Sequence, residues 1–179
     1  MNRNMALTLA FLHPEEGDHW LNLLTIKLSH NPVCHVELVF DGGGGQTQAF
    51  SIQHGSTAGL RPKTMGNPAY ELVTLSIKEQ EYNACKEFCT SASRQEYEFD
   101  NVGMALSVLH PGCCGRSSAQ ASRTFCSKII TEAMQFADIP EVELLYPCAT
   151  TPSMLLDAVR TSPRRLCHSV PSRMRMLRM

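Results

Sequence analysis

The sequence predicts an α+β domain in which a small antiparallel sheet packs on a late helix. Three observations lead there. The segment from Cys34 to Phe40 alternates along its length and is followed by Asp41 and the run Gly42 to Gly45, a strand and a turn that open a hairpin. Residues Cys126, Ile129, Ile130, Ala133, Met134 and Ala137 recur at helical spacing and form one apolar stripe. The 179 residues, 43% hydrophobic and 18% charged, suit one globular domain with its own core and exclude disorder as the main state.

Leu7 to Leu12 reads as a first strand. The apolar run Met5 to Leu12 follows Arg3 as an export signal would, but His13-Pro14-Glu15-Glu16 succeeds it without a small-residue cleavage site, so no signal is expected. Glu15 to Ser29 carries Trp20, Leu21, Leu24 and Leu28 at helical spacing behind the acids Glu15, Glu16 and Asp18, which predicts a helix ended by His30-Asn31-Pro32. In the next strand Cys34, Val36, Leu38 and Phe40 share one face, while His35, Glu37 and Val39 share the other.

Gln46 to Ile52 is the expected partner strand of the hairpin, in a register that the sequence leaves open. His54 to Pro68, with Gly55, Gly59, Pro62, Gly66 and Pro68, is expected to be an irregular surface loop. A strand follows at Glu71 to Ile77, then a helix from Lys78 to Arg94 whose stripe is Tyr82, Cys85 and Phe88, with Ala84 and Cys89 beside them. Tyr97 to Leu109 reads as a short helix, and His110 to Ser122 as a loop rich in Gly, Ser and Cys. The helix from Cys126 to Ala137 is the clearest of all. Thr151 as N-cap and Pro152 in the first turn start a last helix through Leu155, Leu156 and Val159. Arg160, Arg164, Arg165, Arg173, Arg175 and Arg178 follow Asp157 with no acid between them, so the expected domain is 1–160 and the expected basic, mobile tail is 161–179.

A formal charge of −1, from 16 basic against 17 acidic side chains, supplies no long-range field to draw in nucleic acid, and no partner of that kind is expected. The basic tail offers weak, salt-sensitive contact with acidic partners. No run approaches the roughly 20 apolar residues of a membrane span. With no export signal expected, the eight cysteines are read as reduced thiols in a cytoplasmic setting rather than as a disulfide framework.

Among those thiols Cys126 opens a helix, where unpaired N–H groups and the dipole favour a thiolate, and Lys128 adds local positive potential. A nucleophilic thiol needs a base, and His35 on a rigid strand is the best one available. A third polar group must orient the imidazole. Glu37 lies on the same face, its Cα about 6.7 Å along the strand, long for direct contact. Gln48 shares the face of His35 if the hairpin pairs it with Val39, and takes the other face if it pairs with Leu38.

Each of these residues also has a plain reading. A Cys on an apolar stripe is commonly core packing, and an isolated strand His, Glu or Gln is commonly structural or solvated. Cys85 and Cys89, with Cys113 and Cys114, raise the thought of zinc, but no C-x-x-C pair is present and no metal site is expected. The run Gly42 to Gly45 lacks the G-K-[ST] of a phosphate loop.

The stretch Trp20 to Phe40, with Cys34-His35-Val36-Glu37-Leu38-Val39-Phe40, together with Phe125-Cys126-Ser127-Lys128-Ile129-Ile130 and the late Thr151-Pro152, resembles the circularly permuted NlpC-type papain-like thiol hydrolases. The YiiX-type amidases are the nearest group, and the lecithin:retinol acyltransferase-like enzymes share the order, in which the His strand precedes the Cys helix. The resemblance spans roughly residues 5 to 160. It implies a permuted papain-like fold and a hydrolase or acyltransferase with Cys126 as nucleophile, His35 as base and a polar residue of the following strand as orienter, which favours Gln48 over Glu37. It implies no metal or organic cofactor, and a small-molecule, lipid or peptide substrate with an amide or ester bond. The rival expectations are a catalytically silent binding module of the same fold and a metal-stabilised interaction protein.

Overall fold

The structure is a computed structural model and describes residues 3–14, 26–27, 32–42, 46–64, 66–109 and 122–166. Its frame is a mixed α/β arrangement built on a six-stranded antiparallel sheet: β1 (Asn4–Leu12), β2 (His35–Asp41), β3 (Thr47–Ser51), β4 (Gly59–Pro62), β5 (Tyr70–Lys78) and β8 (Arg165–Leu166), in the order β4-β3-β2-β1-β5-β8. The helices are α1 (Glu79–Arg94), α2 (Asn101–Leu109), α3 (Cys126–Phe136) and α4 (Pro152–Arg160). Two short strands, β6 (Glu98–Phe99) and β7 (Arg123–Thr124), pair in parallel beside the start of α3.

β1 sits between β2 and β5 and pairs with both along its two edges. Leu7, Leu9 and Phe11 form rungs with Leu75, Val73, Leu38 and Val36, and all are fully or almost fully buried. α1 and α3 cover this face with Tyr82, Cys85, Cys89, Ile129, Ile130 and Met134. Burying a side chain of this size contributes roughly 1.5–3 kcal/mol, so the rungs tie the helices firmly to the sheet. The opposite face holds a smaller cluster of Ala10, Val39 and Ala49 against Tyr70, with Thr8 and Thr74 hydroxyls 2.9 Å apart across the strands.

At the hairpin, the Gly42 N–H donates to the Gln46 carbonyl at 2.8 Å, and a Cβ at Gly42 would stand 2.9 Å from that oxygen. Only glycine allows this approach. The segment expected to be an irregular loop contains β4, which pairs with β3 from Ser51↔Gly59 to Gln48↔Pro62. Pro62 is tolerated because β4 is an edge strand with a side that needs no donor.

The fold also continues past residue 160. β8 pairs Leu166 with Thr74, and the Arg164 guanidinium bonds Glu141 through two nitrogens and Glu81 through Nη1 at 2.9 Å. Glu81 in turn accepts from the Lys78 backbone N–H at 2.8 Å at the start of α1. Two carboxylates in mostly buried positions, Glu81 and Glu141, hold the first arginine after α4. The remainder of the expected tail, 167–179, lies outside the described residues, as do the Cys113-Cys114 segment, the Gly43–Gly45 turn and the expected helix at 15–29 apart from helical Ile26 and Lys27. Among the described residues, no helix is long and apolar enough to cross a membrane.

Candidate active site

Cys126 is the first residue of α3 and follows Phe125, whose backbone is extended (φ −136°, ψ 166°) and whose side chain supplies no cap. The amides of the first turn therefore receive no cap from the preceding side chain, and their partial positive charge favours an anion. The backbone N–H groups of Ser127 and of Val36 in β2 act on the sulfur and favour its anion. The start of α3 thus abuts the start of β2, where His35 is the first residue. The His35 ring and the Cys126 sulfur act on one another by charge, and the two residues are 7% and 4% exposed. Ser127 anchors the helix start from the other side, donating to the Thr150 carbonyl at 2.6 Å in a buried bond.

Glu37 completes the arrangement. Its Oε1 stands 3.4 Å from His35 Nε2, an ion-pair contact longer than an ordinary hydrogen bond and off its line, and Nε2 has no aligned partner among the described residues. Oε1 also accepts from the Tyr70 hydroxyl at 3.3 Å, while Oε2 is paired with Lys63. The Lys63 ammonium lies 3.5 Å from the centroid of the Tyr70 ring. Pairing explains the meeting: Leu12 is in one rung with both His35 and Tyr70, and Ala10 is in the rung of Glu37. Ala10 carries only a methyl group, so the side chains of Glu37 and Tyr70 meet over it.

The charges reinforce one another. Burial pushes the His35 ring toward its neutral form, but the sulfur of Cys126 and the carboxylate of Glu37 outweigh it and push the pKa up to about 9. Burial also raises the Cys126 thiol, yet the charge and hydrogen bond of His35 and the N–H groups of Val36 and Ser127 bring it below its ordinary value. For Glu37 burial acts upward, and His35 and Lys63 hold the carboxyl below the usual carboxylate range. The arrangement draws the thiol toward its anion and the imidazole toward its cation, the ionised pair that a sulfur nucleophile uses.

Of the four residues singled out from the sequence, the structure brings together Cys126, His35 and Glu37. Gln48 is elsewhere. It pairs with Phe40, so it projects from the face opposite His35 and does not orient the imidazole. The side chain of Glu37 spans a distance that Cα spacing alone makes long. Lys63 and Tyr70 escaped the sequence reading because nothing local marks them. Lys63 is placed by the β3–β4 pairing, its N–H donating to the Thr47 carbonyl at 2.9 Å, and Tyr70 by its rung with Leu12. Cys85 and Cys89 are buried between α1 and the core. Among the described residues, no group of three or more His, Cys, Asp or Glu side chains is placed to hold a metal ion. No protein-family model matches the chain, and no curated protein matches it.

Proposed function

We propose that this protein is a cysteine-dependent hydrolase or acyltransferase of permuted papain-like fold that acts on an amide or ester bond. The observation that carries the reading is the contact of Cys126, at an uncapped helix start, with His35, whose other side faces Glu37. Five elements of chemistry follow from it. The Cys126 thiolate attacks the carbonyl carbon, and the oxyanion is met by backbone N–H groups at the start of α3. With Nε2 on the side of Glu37, Nδ1 of His35 is the nitrogen left to serve the sulfur. The imidazolium gives its proton to the departing amine or alcohol as the C–N or C–O bond breaks, leaving an acyl-thioester. His35, now neutral, takes a proton from water, or from an alcohol or amine acceptor, as that group attacks the thioester. The acid, or the transferred acyl product, leaves and the thiolate returns.

The substrate class is a small molecule, lipid or peptide with an amide or ester bond. A nucleophilic thiolate must stay reduced, which suits a cytoplasmic setting, and the described cysteines Cys34, Cys85, Cys89, Cys126 and Cys148 are all free thiols.

Alkylation by iodoacetamide across pH, followed peptide by peptide, tests the reading. Cys126 is expected to react fastest of the eight cysteines at mildly acidic pH, and His35→Ala to slow it. With p-nitrophenyl acetate as probe, the acetyl group is expected on Cys126 and lost from Cys126→Ala. Equal rates for all cysteines, with no acylation of Cys126, overturn the proposal in favour of a silent binding module.

A further inference from the structure

Lys63 takes no part in the acyl or proton transfers, yet it is held on two sides. Its ammonium is paired with Glu37 Oε2 and seated 3.5 Å from the Tyr70 ring centroid, with 15% of the side chain exposed. Glu37 is 3% exposed, and its carboxylate divides its oxygens between two cations: Oε1 faces His35 and Oε2 faces Lys63. Cys126, His35, Glu37 and Lys63 therefore form a row of alternating charge when the sulfur is ionised. Its sum is zero. Without Lys63 the row would hold an uncompensated negative charge in a buried place, which is costly unless a proton is bound more tightly.

Resting on the thiol-enzyme reading, we infer that Lys63 is a positioning residue of this site, one that balances the charge of Glu37 and so sets how tightly the carboxylate holds the proton of His35. The groups that face Glu37 are His35 on β2, Lys63 after β4 and Tyr70 on β5, and those that face His35 are Glu37 and Cys126 on α3. Tyr70 keeps Oε1 in place through its hydroxyl, so Glu37 stays at His35 when Lys63 is removed. A simple brace for the edge strand β4 would leave the titration of His35 where it is. A charge-balancing residue would not.

The test is the titration of the His35 ring by NMR, beside the iodoacetamide profile of Cys126, in the wild-type protein, Lys63→Met and Lys63→Arg. Removing a positive charge makes proton loss harder for its neighbours. In Lys63→Met the His35 step is expected to move upward from about 9 by about half a pH unit or more, a change of at least about threefold in the proton-binding constant. Lys63→Arg is expected to return it to the wild-type position. An unchanged step, or a downward one, overturns the inference. If Lys63→Met does not fold, Lys63→Gln, which keeps a donor at Oε2 without the charge, is read by the same criterion. The two readings fail separately: a Cys126 no faster than the other thiols in the wild-type protein removes the enzyme proposal, whereas a fast, His35-dependent Cys126 with an unmoved step in Lys63→Met removes this inference alone.

Discussion

Nε2 of His35 stands 3.4 Å from Oε1 of Glu37 two residues along the same strand, with 9% and 5% of the two side chains exposed. Water screens such a contact little, so the carboxylate acts on the imidazole with most of its charge.

Replacing that charge follows directly. In Glu37→Gln the shape is kept and the negative charge is lost, so the His35 ring is expected to release its proton below the wild-type value of about 9. Turnover of the acetyl probe is expected to fall at least about tenfold, because the imidazolium is less favoured and less well oriented. NMR titration of His35 and the pH profile of turnover check both, and a His35 step at the wild-type position counts against a role for Glu37.

Gln48→Ala is the matched control. Gln48 pairs with Phe40 and is half-buried on the face away from His35. Cys126 alkylation is expected to keep its wild-type rate and pH profile, and stability to stay within about 0.5 kcal/mol. A slowed Cys126 in this variant would contradict the strand register.

Arg164→Met tests whether the chain beyond α4 is part of the domain. The guanidinium serves Glu141 and Glu81, carboxylates with 6% and 10% of their side chains exposed, while 24% of its own side chain is exposed. The expected cost is about 2 kcal/mol, below the usual range for breaking a buried pair because of that exposure, measured by urea unfolding at pH 7.

The same variant has a pH signature. Burial acts to raise the Glu141 carboxyl, but Arg164 and Ser162 hold it below its ordinary value. A lowered carboxyl contributes stability above its unfolded value of 4.5, and that contribution is lost as pH falls through the folded value. Stability of the wild-type protein is therefore expected to fall as pH drops below about 4.5, and less steeply in Arg164→Met.

Thr151→Ala addresses the last helix. The Thr151 hydroxyl accepts from the Met154 N–H at 3.3 Å at the N-terminus of α4. Its loss is expected to cost about 1 kcal/mol in urea unfolding and to leave Cys126 alkylation unchanged.

Much of the frame was legible in residue order, because its signals are local. The alternation of β2, the stripe of α3 and the Thr151-Pro152 start of α4 reappear in the structure within a residue or two. β4 was hidden by its own glycine and proline, residues that signal a loop and that only the edge position makes acceptable in a strand. Arg164 and Arg165 looked like the beginning of a charged tail because their partners, Glu81, Glu141 and the edge of β5, are remote in sequence.

The chain order alone determined which face of β2 carries His35 and Glu37, and that Cys126 opens a helix, since strand alternation and helical spacing are properties of neighbouring residues. Tertiary structure decided which polar group reaches the imidazole. The choice between Glu37 and Gln48 hung on a one-residue step in the β2–β3 register, and a step of that size reverses the face of every side chain. It also decided that Lys63 and Tyr70 join the site, through rungs between strands far apart in the chain, a relation that no local pattern encodes.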